Sequence, residues 1–282
     1  MTGDAITADL ALKACDFRRL AGFIIEYSGI KITAAKQAMV EGRLRRRVRS
    51  LGFGSFDGYC RYLFDEGGLE QEAVHIIDAV TTNKTEFFRE PEHFRLLVDR
   101  VLPNLVASGR SRTVKVWSAA CSTGAEPYTL AMLLADFADN HAGFDFQVLA
   151  TDLCTEVLDK AVLGIYPEEM AAPVPPDLRR RHLLRARDRA CRQVRIAPDL
   201  RRKVRFGRLN LTDESYAVDG GQDIIFCRNV LIYFDKALQQ AVLARLCDRL
   251  AVGGILFIGH SETIAGFDLP LRQFAPTVFI RV

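Results

Sequence analysis

From Thr113 onward the chain alternates short apolar runs with amphipathic ones, and this rhythm restricts the fold more than any other feature. Runs at 113–118, 146–151, 203–208, 223–227, 254–259 and 277–282 are short and apolar enough for buried strands. Helical stretches lie between several of them, notably 126–138, 155–163 and 235–251. This pattern predicts an α/β fold with a doubly wound, mostly parallel sheet, whose ligand crevice lies at the C-terminal ends of the strands. The last run, TVFIRV, has no obvious crossover helix before it, so an antiparallel strand is expected there.

The N-terminal part reads differently. Phe17, Leu20, Ile24 and Tyr27 line one face of a helix that Ser28-Gly29 ends. A second helix, from about Thr33, carries Val40, Leu44, Val48 and Leu51 as its apolar stripe. At 100° per residue Arg45, Arg46 and Arg49 fall on the opposite face, with Arg43 and Arg47 flanking the stripe. A short helix at 59–63 and another through Val74, Ile77 and Asp78 follow. Residues 164–202 break the later alternation. Pro167, Pro173, Pro175 and Pro176 exclude one long helix, and CRQVRI alternates as a strand does, so a small β excursion is expected. The chain therefore divides into an all-α N-terminal domain (1–78), a linker (79–92) and an α/β domain (93–282) with a small inserted β-subdomain at about 164–202.

With 49% hydrophobic residues in 282, a large core is available and global disorder is excluded. No apolar run is long enough to cross a membrane, and MTGDAITADL lacks the charged and apolar regions of a secretory signal, so a cytoplasmic protein is expected. Seven cysteines form no CxxC pair and read as free thiols. Five scattered histidines lack i, i+4 spacing, so no metal is expected. Net charge is only +3, yet Arg179–Arg208 holds thirteen Arg or Lys against Asp188 and Asp199, a local +11 that leaves −8 for the rest. Such a cluster suits an acidic partner, and RLRRRVR at 43–49 is a second one.

Two segments carry chemistry. TTNKTEFFRE at 81–90 is polar and ends in two phenylalanines, an arginine and an acid, while WSAACSTGAEPYTLAM at 117–132 reads as strand, turn and helix. That layout lets backbone N–H groups and a helix start meet a small ligand. The turn has one glycine, Gly124, and so lacks the G-x-G-x-x-G dinucleotide fingerprint. The second strand ends in Asp152, the residue type that grips ribose hydroxyls, though a helix cap is also open to it or to Thr155. The third strand leads to Asn210 and the fourth to Arg228-Asn229. Polar groups at four strand ends rimming one crevice point to a nucleoside-type ligand site.

TTNKTEFFRE, SAACSTGAEPYTLAM, ATDL, FCRNVLIYFD and GGILFIGHSE, in this order, resemble the signature blocks of the CheR family, the chemotaxis receptor glutamate O-methyltransferases. The helical start, with RLRRRVRSLGF, is similar too. The resemblance implies a class I methyltransferase-like fold, S-adenosylmethionine as methyl donor, S-adenosylhomocysteine as product and a protein glutamate as acceptor. It implies that Asn83, Thr85 and Arg89 meet the donor from the linker, Glu126 its methionyl amino end and Asp152 its ribose. Asn210 and Leu211 then lie at the adenine, and Arg228 and Asn229 complete the wall. Arg89 and Tyr233 are the implied catalytic residues, positioning the acceptor or the methyl group. Phe87 and Phe88 read as anchors of the linker, and His260 as structural.

By the same resemblance Arg43, Arg45, Arg46 and Arg49 dock on acidic methylation helices in the cytoplasmic part of chemoreceptors. The β-subdomain corresponds to one that in some members grips a receptor C-terminal peptide. LLRARDRACRQVRI departs from those members, with arginines and no glycine where they carry a Gly-rich loop. Two alternatives stand beside this reading. A nucleic-acid methyltransferase suits the +11 stretch, but no stacking aromatics interleave with arginines 179–205. A non-catalytic S-adenosylmethionine-sensing binding protein is opposed by the matches at Asn83, Arg89, Asp152 and Tyr233. Neither nucleic acid nor membrane insertion is expected, and nothing in the sequence demands more than a monomer.

Overall fold

The computed structural model describes residues 11–107, 113–188 and 190–282. Contacts divide the chain into two units, the first running to Thr82 and including Tyr233–Asp235, the second comprising Asn83–Ile232 and Lys236–Val282.

The first unit is helical, with α1 (Ala14–Ser28), a 3-10 turn at Ala34–Lys36, α2 (Gln37–Ser50), α3 (Phe56–Asp65) and α4 (Leu69–Val80). Gly29 ends α1 in the left-handed region, φ 70°, and returns its N–H to the Ile25 carbonyl, a conformation that glycine adopts without a Cβ clash. Ser55 caps α3 by accepting the Gly58 N–H at 3.2 Å. Val40, Leu44 and Val48 are fully buried, each contributing roughly 1.5–3 kcal/mol. Leu51, expected on the same stripe, is exposed because α2 stops at Ser50. Arg47 clasps the buried Glu72 through Nε and Nη2 at 2.8 and 2.6 Å, tying α2 to α4, and the Tyr59 hydroxyl adds a third donor.

The second unit opens with α5 (Pro91–Leu96), a π-type turn (Leu97–Val101) and α6 (Leu102–Ala107). The alternation then runs β1 (Val114–Ala119), α7 (Ala125–Asp139), β2 (Phe146–Asp152), α8 (Thr155–Leu163), β3 (Ile165–Pro167), α9 (Pro176–His182), β4 (Leu183–Arg185), β5 (Gln193–Ile196) and α10 (Pro198–Arg202). It continues with β6 (Val204–Arg208), β7 (Gln222–Cys227), a 3-10 turn (Leu231–Tyr233), α11 (Lys236–Arg249), β8 (Leu250–Ile258), β9 (Leu271–Ala275) and β10 (Val278–Arg281).

The main sheet has the order β6-β2-β1-β7-β8-β10-β9, parallel from β6 to β8. As expected, β10 is antiparallel to β8. The edge strand β9 was not expected from the sequence, since its residues are only partly buried and give no apolar run. Phe226 and Phe257 stack at 4.2 Å on neighbouring strands in the core, and β7 is buried along its whole length. Chain order reverses between β1 and β7, which opens the crevice at their C-terminal ends. The excursion after α8 is a separate three-stranded sheet, β3-β5-β4, whose Val194 and Ile196 face the core. The expected fold class, an all-α region before a doubly wound sheet with a small β insertion, is the observed one.

Candidate active site

The loop after β1 is built on unusual backbone. Ala120, Ser122 and Gly124 have φ of 66°, 51° and 91°, so the chain turns tightly from strand into α7. At Gly124 glycine is required twice over. The left-handed φ disfavours any side chain, and a Cβ there would lie 2.8 Å from Tyr166 Oη and 2.9 Å from Ala161 Cβ. Tyr166 in turn donates to the Thr123 carbonyl at 2.7 Å, fixing the loop from below. Burial pushes the Cys121 thiol well above its ordinary value, leaving it an inert packing group.

Asp152 ends β2 beside this loop. Its Oδ2 accepts the Ser122 N–H at 2.8 Å and its Oδ1 the Cys154 N–H at 2.9 Å. Both carboxylate oxygens are thus bonded to the main chain, which fixes the acid's orientation at the end of the strand. The same loop receives the linker: Ser122 Oγ donates to the Asn83 carbonyl at 3.0 Å, and Asn83 Nδ2 reaches Cys154 Sγ at 3.4 Å. Next along the sheet, Leu209 N–H bonds the Asp152 carbonyl at 3.0 Å, Asn210 Oδ1 accepts the Thr212 N–H, and Leu211 is buried with its carbonyl held by Tyr216 Oη. Asn83, Asp152, Asn210 and Leu211 therefore surround the ends of β1, β2 and β6.

On the β7 side Arg228 and Asn229 belong to a charged network. Arg228 is buried and donates to Glu126 Oε2 at 2.8 Å, Glu90 Oε2 at 2.9 Å and the Arg89 carbonyl at 2.6 Å. Asn229 Nδ2 donates to Glu90 Oε1 at 3.0 Å, and Ser118 Oγ to Glu126 Oε1 at 2.7 Å. Burial raises the Glu90 carboxyl, but the hydrogen bonds from Asn229 and Arg228 and the charge of Arg228 outweigh it, bringing it down to about 2. Glu126 and Arg228 thus meet each other first. Arg89 folds its own guanidinium back to the Lys84 carbonyl at 2.9 Å, and Thr85 is half-buried between them.

The linker is anchored by its phenylalanines, as expected. Phe87 is 1% exposed and packs edge-on against Tyr166, and Phe88 packs against Phe94 while its N–H bonds Thr129 Oγ1. Phe88 and Glu90 both take positive φ, which swings the Glu90 carboxylate inward.

Two acids were missed as site residues. Glu90 is one. Glu262 is the other, with its carboxylate accepting four backbone N–H groups: Gly259 at 2.6 Å, Asn229 at 3.0 Å, Val230 at 2.9 Å and Leu231 at 2.7 Å. Burial pushes the Glu262 carboxyl up, with the N–H donors pulling against it. The available signal was an acid closing each of the blocks FFRE and GHSE. His260, next to Glu262, offers its N–H to Glu90 at 3.2 Å. Among the described residues, Glu90, His93 and His260 bring one possible metal-ligand atom each within 4.8 Å, but Glu90 Oε2 already accepts from Arg228 and the His260 amide.

A family model described as "CheR methyltransferase, SAM binding domain" matches residues 83–280, and "CheR methyltransferase, all-alpha domain" matches 16–81. The chain belongs to the CheR methyltransferase family. The chemotaxis protein methyltransferase of Escherichia coli (strain K12) is 40% identical over 274 residues, covering 97% of this chain and 93% of that protein. Chemotaxis protein methyltransferase 2 of Pseudomonas aeruginosa is 38% identical, with 94% and 92% covered, and the Borreliella burgdorferi protein is 35% identical, with 89% of each covered. As a CheR member the chain is an S-adenosylmethionine-dependent methyltransferase of chemotaxis. The groups around β1, β2 and β6 fit that ligand: a carboxylate at the end of β2, an amide side chain and backbone turned by three positive-φ residues.

The remaining predicted site residues lie in the helical unit. Tyr233 groups with it, its carbonyl accepting the Lys31 N–H at 3.3 Å and its side chain half-buried. On α2, Arg43 caps α4 by donating to the carbonyls of Val80 and Thr81, and Arg45 pairs with Glu41. Arg46 and Arg49 are exposed, and among the described residues their guanidinium groups make no hydrogen bond or ion pair. The ridge is therefore narrower than the sequence suggests. Much of the basic run is likewise engaged: Arg179 with the carbonyls of Ala171 and Ala172, Arg181 with Asp136 and Asp139, Arg202 with Asp199 and Lys203 with Asp145. That reduces the charge left for a nucleic acid. No helix among the described residues is long and apolar enough to cross a membrane.

Proposed function

We propose that this protein transfers the methyl group of S-adenosylmethionine to glutamate side chains in the cytoplasmic helices of chemoreceptors, giving glutamyl methyl esters and S-adenosylhomocysteine. The observation that carries the reading is the Asp152 carboxylate, held by the Ser122 and Cys154 amides beside a positive-φ loop, in a chain of the CheR family. In this reading Asp152 accepts from the ribose hydroxyls and Asn210 and Leu211 border the adenine. Asn83, Thr85 and Arg89 close the site from the linker. Glu126, whose Oε2 is bonded to Arg228, presents its remaining lone pairs to the methionyl amino group, and Arg228 and Asn229 brace that wall.

The bound donor supplies an electrophilic methyl on a cationic sulfur. A glutamate carboxylate, with an ordinary pKa of about 4.3, is already ionised and nucleophilic at neutral pH, so no general base is required. What the chain contributes is alignment and a dry approach, and orientation alone supplies about 7–11 kcal/mol in favourable cases. Arg89 and Tyr233 are assigned to hold the acceptor carboxylate or border the methyl group, and Arg46 and Arg49, with Arg43 and Arg45 in supporting contacts, to steer acidic receptor helices.

Incubation with methyl-labelled donor and receptor-containing membranes tests this. Label that attaches to receptor and leaves as methanol in alkali supports ester formation. Alkali-stable label, or label on added RNA, would refute it.

A further inference from the structure

We infer that Glu262 is a positioning residue for donor binding: it is an internal anion that fills a backbone nest and thereby fixes the loop bearing Arg228 and Asn229. The inference rests on the reading above that this loop walls the donor site.

The loop after β7 turns at Asn229 with φ 59°, and this turn aims the successive N–H groups of Asn229, Val230 and Leu231 at one point. Convergent backbone amides of this kind form an anion-binding concavity. Here the anion is the Glu262 carboxylate, 8% exposed, which also accepts the Gly259 N–H at the end of β8. Four main-chain donors on one carboxylate is close to its full capacity. A side chain at Gly259 would lie 2.5 Å from Asn229 Nδ2 and 2.8 Å from Asn229 N, so the two loops are pressed together and only glycine fits between them.

The consequence runs outward from the nest. Asn229 carries the amide that holds Glu90 Oε1, and its neighbour Arg228 holds Glu90 Oε2 and Glu126 Oε2. Glu262 touches none of the reacting atoms; it acts through the backbone of Asn229. Without the carboxylate, three amides facing one another repel and have no other acceptor in the loop, so the turn at Asn229 opens and Arg228 loses its fixed approach to Glu126. Leu231, the last residue held, also begins the 3-10 turn that ends at Tyr233.

A nest that has lost its internal anion accepts an external one of the same chemistry. Calorimetric titration of S-adenosylhomocysteine into wild type, Glu262→Ala and Glu262→Gln, each in sodium chloride or sodium formate at equal ionic strength, tests this. Glu262→Ala is expected to bind about tenfold more weakly in chloride, the scale set by losing charge-assisted hydrogen bonds. Formate is expected to restore most of that affinity and to raise the melting temperature of Glu262→Ala, while changing neither property of wild type. Wild-type affinity in Glu262→Ala, or a loss that formate leaves in place, would overturn the inference. Should Glu262→Ala not fold, Glu262→Gln decides: it keeps the shape but turns an NH2 toward the amides, so weakened binding supports the inference and unchanged binding overturns it. No binding by wild type would instead sink the donor-site reading, and this inference with it.

Discussion

Glu90 and Arg228, 138 residues apart in the chain, meet as a buried ion pair at 2.9 Å. The same guanidinium neutralises Glu126 at 2.8 Å, so one cation serves two largely buried acids. Removing the shared partner of a buried pair typically costs about 3–5 kcal/mol, because the charge left behind has lost both water and counterion. Arg228→Met is therefore expected to lower unfolding stability by about that amount, measured by urea denaturation, and to weaken donor binding. Glu126→Gln, which leaves the Glu90 pair intact, is expected to cost clearly less. Equal midpoints for wild type and Arg228→Met would contradict the pairing.

Acid stability follows from the same cluster. Glu90 titrates at about 2 when folded and near the ordinary carboxylate value of 4.5 when unfolded. A depressed acid stabilises the folded form above the unfolded value, and that stability is lost as pH falls from about 4.5 toward 2. His93, buried and facing the Arg228 charge, is brought down to about 4 from 6.5, so the folded form resists its protonation and stability falls between those values as well. Measured by chemical unfolding across pH, Glu90→Gln is expected to flatten the slope below pH 4.5 and His93→Gln the slope between 6.5 and 4. Slopes identical to wild type would show that neither group is shifted.

How much of this was legible depends on whether the signal was local. Parallel strands such as β7, buried along its length, advertise themselves as unbroken apolar runs. The turn around Gly124 and the acid at Asp152 stand at fixed places in a strand–loop–helix order, so they too could be read. By contrast β9, an edge strand, has no fully buried residue, only partly buried and exposed ones, and gave no run to find. Glu90 and Glu262 were passed over because their partners lie 138 and about 30 residues away. Arg43 looked like one more member of a basic ridge until the end of α4 turned out to lie beneath it. Periodicity places a side chain on a face; it does not say which carbonyls that face covers.

Gly124 allows strain and space to be separated. Gly143 has a similar φ of 83° but nothing within 4 Å of a built Cβ, whereas Gly124 would press against Tyr166 and Ala161. Gly143→Ala is expected to cost only the left-handed backbone strain, about 1 kcal/mol. Gly124→Ala adds overpacking of about 1–3 kcal/mol and a displaced donor loop, so weaker S-adenosylhomocysteine binding is expected as well. Thermal melts and titrations of both variants check this, and equal behaviour would mean that the close approach at Gly124 is immaterial.

The narrowed ridge on α2 gives a partition among arginines. Arg46→Glu with Arg49→Glu is expected to slow receptor methylation several-fold or more at low salt, with the difference shrinking as ionic strength rises, and to leave S-adenosylhomocysteine affinity unchanged. Arg43→Ala is expected to act instead on stability, by about 1 kcal/mol, through the uncapped carbonyls of Val80 and Thr81. Kinetics at two salt concentrations and a melt for each variant separate the two classes. A salt-independent loss in the Arg46/Arg49 variant would point to misfolding rather than steering.

The most direct test is calorimetric titration of S-adenosylhomocysteine into the wild-type protein beside Asp152→Ala. Saturable one-to-one binding by wild type, lost or greatly weakened when the Asp152 carboxylate is removed, is the predicted result. Equal binding by both would place the donor somewhere other than the crevice between the β1 loop and β2, and no binding by folded wild type would contradict methyl transfer from this site altogether.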